Sequence, residues 1–212
     1  SRSSAASDVY KRQEISEGMP GEEIYMNAIL QKYDTPNRNG RIYPERILRR
    51  ENEKYQEVIK KGGSISELNH PESSLIDLDR ASHIITETWW EGNRLVGKLK
   101  LLTSTGYIKD GIISCVGDMA ANLLRQGVTL GISSRGVGSL KKNGEYNEVE
   151  DDFELICFDL VSSPSTPGSY LFKETESSDS VDEVVEVVES SNPNTLNKSL
   201  TMMSKLDNFL NR

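Results

Sequence analysis

A hydroxyl becomes a useful nucleophile only when a base takes its proton, so the scarcest base in a chain limits where such chemistry can sit. This chain has two histidines, His70 and His83. The serine candidates are Ser133 and Ser134, in the run Gly131-Ile132-Ser133-Ser134-Arg135-Gly136-Val137-Gly138-Ser139, where glycines let a backbone present a side chain close to a substrate. Read alone, that run is an ordinary Gly/Ser turn. Joined to His70 and to a downstream carboxylate such as Asp159, it supplies nucleophile, general base and a group that fixes the base's tautomer. Asp159 reads equally as a solvated strand residue, and His83, between Ser82 and Ile84, reads as a satisfied structural histidine. Cys157 lies in Leu155-Ile156-Cys157-Phe158, the pattern of a buried strand, with no neighbour that favours its thiolate. Glu67-x-x-His70 with scattered carboxylates lacks a zinc spacing, so neither a catalytic metal nor a cofactor is expected.

The elements that must position these residues are set by periodicity and turn chemistry. Ile24, Met26, Ala28 and Leu30 alternate as a first strand, followed by the turn-rich Asp34–Gly40. A helix is expected from Pro44, with Ile47, Leu48, Tyr55, Val58 and Ile59 as its apolar stripe and Gly62-Gly63 as its stop. Ser64–Glu72 is strand-like, and Pro71 holds His70 out of the helical region. Residues 81–102 read as a hairpin around Glu91-Gly92-Asn93, with Trp89 and Trp90 as core and rim aromatics. The 3-4 spacing over 108–126 predicts one amphipathic helix ending at Gly127. Val128–Leu140 then reads as a strand, 141–144 as a turn, Phe153–Val161 as a strand, and Pro164–Gly168 as the close of the domain.

At 212 residues the chain suits one domain with appendages, and its net charge of -8 argues against a nucleic-acid or anionic-membrane binder. Two cysteines in apolar settings indicate reduced thiols rather than a disulfide framework. With no long apolar window and no recognisable signal peptide, a soluble cytoplasmic product is expected. Residues 1–13 resemble translated adapter sequence and are set aside; 14–173 is taken as the functional domain. Residues 174–195, rich in Ser, Asp, Glu and Val, read as an acidic disordered linker, and 196–212 as a short amphipathic helix that docks on a partner or on the domain itself.

Four motifs in order, Asn37-Arg38-Asn39-Gly40-Arg41-Ile42-Tyr43-Pro44, Glu67-Leu68-Asn69-His70-Pro71, Trp89-Trp90-x-Gly92-Asn93 and Gly131–Leu140, closely resemble the prohead core proteases of T4-like bacteriophages. The resemblance runs from about residue 24 to 173. It implies an α+β fold distantly similar to herpesvirus assemblins: a β-barrel-like core of mainly antiparallel strands with packed helices. It also implies a serine endopeptidase, a zymogen until assembly, that works inside the prohead in the host cytoplasm on scaffold or core proteins and the major capsid protein, and that forms a homo-oligomer. Cleavage after Glu in Leu/Ile-x-Glu sequences is implied; of the sites of this kind in the chain, Ile15-Ser16-Glu17 lies in a segment expected to be exposed, so self-cleavage is expected after Glu17 or within the acidic tail at a less ideal sequence.

By the same resemblance Ser133 is the nucleophile, Ser134 its fallback and His70 the base. The assemblins place a second histidine after the serine. This chain has none there, and Asp159 is the candidate for that role. Arg135 and Gly136 beside the nucleophile, and Gly168 in the 165–169 stretch that follows the Asp159 strand, are candidates for oxyanion or substrate binding, with a surface charge as the other reading of Arg135. The alternative function is a non-catalytic scaffold or core assembly protein that retains the protease fold.

Overall fold

In the computed structural model of the chain, residues 23–71 and 73–173 are described. The expectations for 1–13, 174–195 and 196–212 lie outside them. The first alternation becomes β1 (Tyr25–Lys32). After β2 (Arg41–Ile42), Pro44 opens α1 (Glu45–Lys60), whose Ile47, Leu48 and Tyr55 are buried. Gly62 leaves the helix at φ +72°, a conformation that costs a glycine little. β3 (Ile65–Glu67) precedes the His70 segment and a 3₁₀ turn at Leu78–Arg80, and the expected hairpin is β4 (Ala81–Glu91) and β5 (Arg94–Leu101).

The single helix expected over 108–126 is two, α2 (Thr105–Asp110) and α3 (Val116–Arg125). Asp118 is the cause. Its buried carboxylate accepts the main-chain N–H groups of Ser104 (2.7 Å), Ser114 (2.8 Å) and Cys115 (3.1 Å), together with the hydroxyls of both serines. Such a knot caps the start of α3 and ties it to the start of α2, which a continuous helix could not accommodate. The chain continues through β6 (Gly131–Val137), β7 (Leu140–Asn143), β8 (Tyr146–Val149), β9 (Glu154–Val161) and β10 (Leu171–Phe172). The stretch 141–144, expected as a turn, is mostly strand: β7 pairs with β8, and β8 pairs in parallel with β2. That pairing joins positions about a hundred residues apart, which local pattern cannot reveal.

The strands form a five-stranded sheet in the order β10-β1-β5-β4-β3, a three-stranded sheet β2-β8-β7 and the pair β6-β9. The expected barrel is therefore not a closed one among the described residues. The five-stranded sheet and the β6-β9 pair do meet at both edges, but only through single bridges, Leu68 with Leu160 and Gly131 with Tyr170. At the first seam side chains stand in for a ladder: the Glu67 N–H donates to Asp159 Oδ1 (3.1 Å) and the Phe158 N–H to Ser66 Oγ (3.4 Å). The main core is built from β1, β4, β5, α3 and the inner face of β6-β9, with Tyr55 of α1 set edge-on against Phe158, and a smaller one gathers Tyr43, Ile47, Val149 and Phe153. No described helix is long and apolar enough to cross a membrane.

Candidate active site

The β6-β9 register places Ser133 opposite Asp159 and Arg135 opposite Cys157. Directly opposed residues share a face of the pair, with Cβ atoms about 5 Å apart. Ser133, Arg135, Cys157 and Asp159 thus line one face, while Ile132, Phe158 and Leu160 enter the core on the other. His70 reaches this face because of its neighbours. The Asn69 N–H is held by the Leu160 carbonyl (2.8 Å) and its backbone turns left-handed at φ +68°, a conformation asparagine tolerates. Pro71 then disfavours the helical region for His70. The result is a hydrogen bond of 2.9 Å between His70 Nδ1 and Asp159 Oδ2. His70 is 40 % exposed while Asp159 is fully buried, so the ring lies at the surface over a fixed interior carboxylate. In this structure no hydrogen bond joins Ser133 to His70; the Ser133 hydroxyl lies 3.5 Å from that of Ser165.

Every partner of Asp159 is a donor. Oδ2 also meets Arg135 Nε (2.9 Å), and Oδ1 receives the Glu67 N–H, Arg135 Nη2 (3.2 Å) and the Cys157 thiol (3.3 Å). Burial is the largest influence on this carboxyl and pushes it up, but His70, the Glu67 N–H, Arg135 and Cys157 together hold it below the usual carboxylate range. An ionised acceptor fixes the tautomer: Nδ1 carries the proton and Nε2 keeps its lone pair for a hydroxyl. Burial and the adjoining Asp159 charge push the Cys157 thiol up, away from nucleophilic thiolate. His83 is fully buried, donates from Nε2 to the Phe158 carbonyl (2.8 Å) and accepts at Nδ1 from Ser82 (2.9 Å). Burial lowers its pKa to about 4, which keeps it a neutral structural group.

Ser134, next along the strand, points away from Asp159. Its hydroxyl accepts from Gln31 Nε2 (2.9 Å), and Gln31 Oε1 accepts from Thr166 Oγ1 (2.6 Å). Gln31 thereby ties the 164–169 loop to β6. The loop sits so close that a Cβ on Gly131 would lie 2.7 Å from Pro164 and 3.0 Å from the Ser169 carbonyl, which is why glycine opens the strand. Gly168 is in this loop at φ +81°, and Gly136 is pressed against the Phe153 ring. Arg135 is neither a surface charge nor a free clamp. It is buried, with Nη2 on Glu67 (2.8 Å), Nη1 on the Ser73 carbonyl (2.9 Å) and Nε on Asp159, because its strand position faces the interior seam. Sequence reasoning gave no role to Glu67 or Gln31, and reached Ser165 and Thr166 only within the 165–169 stretch as a source of oxyanion donors. Glu67 alone carried a signal, as an acidic residue three before the histidine on a strand. Among the described residues no group of three or more His, Cys, Asp or Glu could hold a metal ion.

A family model described as prohead core protein serine protease matches residues 11–180. The chain is 34% identical over 152 residues to the prohead core protein protease of Enterobacteria phage T4, covering 70% of this chain and 68% of that protein. The fold is similar to the solved structure of the bacteriophage T4 capsid assembly protease, gp21, with a TM-score of 0.60 and 30% identity, covering 69% of this chain and 93% of the other.

Proposed function

The chain belongs to the prohead core protein serine protease family, and on that premise we propose that it is a serine endopeptidase that cleaves scaffold and major capsid precursor proteins inside the prohead during head maturation. The observation that carries the reading is the His70–Asp159 hydrogen bond on the strand face that also bears Ser133. His70 Nε2 takes the Ser133 proton as Oγ attacks the scissile carbonyl, and Asp159 steadies the imidazolium. The same proton then goes to the leaving amine, and water, activated by His70, releases the acyl-enzyme. The oxyanion is met by main-chain N–H groups of the 165–169 loop, Gly168 included, and of Gly136, while the buried Arg135 guanidinium acts elsewhere. Ser133 and His70 close to hydrogen-bonding distance in the substrate complex.

Cleavage after Glu belongs to the same proposal. A cavity of about 370 Å³ opens beside Pro71, walled by Ser73, Leu75 and Ile76 with Glu67, Asp77 and Arg80 as its charged groups. Glu67 is paired with Arg80 and Arg135, and Asp77 adds a second carboxylate to the lining, so the preference for Glu rests on the family resemblance rather than on the charge of this cavity. Self-cleavage after Glu17, and assembly as a homo-oligomer, complete the reading. A fluorophosphonate probe should label the active chain and fail to label Ser133→Ala, and the intact masses of the two proteins should differ by the segment ending at Glu17. Equal labelling would assign the nucleophile elsewhere. No labelling of either would favour a non-catalytic assembly protein. Equal masses would remove self-cleavage.

A further inference from the structure

Arg80, Glu67, Arg135 and Asp159 form a chain of alternating charge that runs from the surface through the seam to the base, His70. Its contacts are 3.2 Å from Arg80 to Glu67, 2.8 Å from Glu67 to Arg135, 2.9 Å from Arg135 to Asp159 and 2.9 Å from Asp159 to His70. Glu67, Arg135 and Asp159 come from three different strands and are buried. One guanidinium holds the rest together: Nη2 touches both carboxylates, Nε meets Asp159 and the Cys157 sulfur (3.2 Å), and Nη1 holds the Ser73 and Leu75 carbonyls (2.9 and 3.3 Å) just after His70. We infer that Arg135, held by Glu67, is a positioning residue for catalysis: it fixes Asp159 as an ionised acceptor and tethers the segment that carries His70.

Both electrostatics and geometry assign this role to arginine. Two buried carboxylates within reach of one Nη2 repel each other, and without the cation one of them takes a proton. A protonated Asp159 no longer dictates the His70 tautomer. Glu67 is itself kept ionised: burial acts most strongly to push it up, but Arg135 and the Asp77 N–H outweigh that. A lysine cannot substitute, because one ammonium lacks the planar fork that reaches two carboxylates and a loop together. The groups facing Asp159 are His70, Glu67 of β3, Arg135 of β6 and Cys157 of β9, with His83 of β4 and Tyr55 of α1 acting at longer range.

The inference rests on the proposed triad, and its test separates the two. In full-length protein, Arg135→Met should lower kcat on a fluorogenic peptide of residues 14–21 at least about 100-fold with KM little changed, and should move the acid limb of the rate profile upward by about one pH unit or more. Arg135→Met with Glu67→Gln should bring the acid limb back toward the parent, because the competing carboxylate is gone. A purely structural arginine predicts lower activity with an unmoved limb and no rescue, and that result would overturn the inference. The same comparison is made in the Ser133→Ala background by following the Asp159 carboxyl carbon by NMR, assigned with Asp159→Asn. This readout survives even if Ser133→Ala turns out to retain peptidase activity and the triad itself fails. If Arg135→Met does not fold, Arg135→Lys carries the test: kcat falls at least about tenfold while the Asp159 midpoint stays near the parent's. A fully active Arg135→Lys sinks the proposal.

Discussion

Replacing Asp159 by asparagine keeps the size of the side chain and removes its charge, and the surrounding contacts set the consequences. All five groups that touch the carboxylate are donors: His70 Nδ1, the Glu67 N–H, two nitrogens of Arg135 and the Cys157 thiol. An amide must turn its NH₂ toward one set of them, and either orientation fails. Facing His70, it forces Nδ1 to accept and moves the ring proton to Nε2, where it blocks removal of the Ser133 proton. A wrong tautomer of this kind costs about 10⁴-fold in kcat in a serine protease triad. Facing the Glu67 N–H, it sets donor against donor and leaves a buried arginine short of an anion. Removing one member of a buried ion pair costs about 3–5 kcal/mol. Because Arg135 keeps Glu67, the low end applies, about 3 kcal/mol, or roughly 6–12 °C in Tm for a domain of this size. The assay is kcat/KM on the peptide of residues 14–21 with active sites titrated by fluorophosphonate, beside a thermal melt followed by circular dichroism. A folded Asp159→Asn protein within tenfold of the parent's kcat would refute the assignment of Asp159 as orienter.

Three further outcomes are expected. Ser134→Ala should lose about 1 kcal/mol from the Gln31 hydrogen bond and keep kcat within about threefold, whereas a collapse of activity like that of Ser133→Ala would move the nucleophile. Gly131→Ala should cost about 1–3 kcal/mol by urea denaturation, since its Cβ lands 2.7 Å from Pro164; an unchanged midpoint would show that the 164–169 loop is not packed as described. Although burial raises it, the hydrogen bonds to Asp118 from Ser104, Ser114 and Cys115 lower its pKa to about 2, against an ordinary 3.8. A lowered folded-state pKa contributes stability that is present above the unfolded value and lost as pH falls through the folded one, here about 2 kcal/mol above pH 3.8 that disappears toward pH 2. Asp118→Asn should remove that acid-dependent component, and identical acid denaturation curves for the two proteins would count against it.

By itself the sequence determined the local elements and singled out the candidate reacting groups. Pro44 and Gly62 mark the ends of α1, Gly92 sits in the hairpin turn, and the alternation in 154–161 is a strand, because each depends on contacts within a few residues. The scarcity of histidine and the ordered motifs pointed to Ser133, His70 and Asp159. What only the tertiary structure decided depends on register and on pairing across long stretches of chain. Period-two alternation says that Ser133 and Ser134 face opposite ways, but only the β6-β9 register says which one faces Asp159. The same register turned Arg135 inward to Glu67, a strand 68 positions earlier, where its type alone suggested a surface charge or a clamp. Asp118 split a helix that periodicity joined, because a carboxylate capping two helix starts competes with helical hydrogen bonds in a way no apolar spacing records. Single bridges and side-chain hydrogen bonds, rather than full ladders, join the two sheets. The polar seam so formed holds His70 against Asp159, and it arises from long-range pairing invisible in any window of the chain.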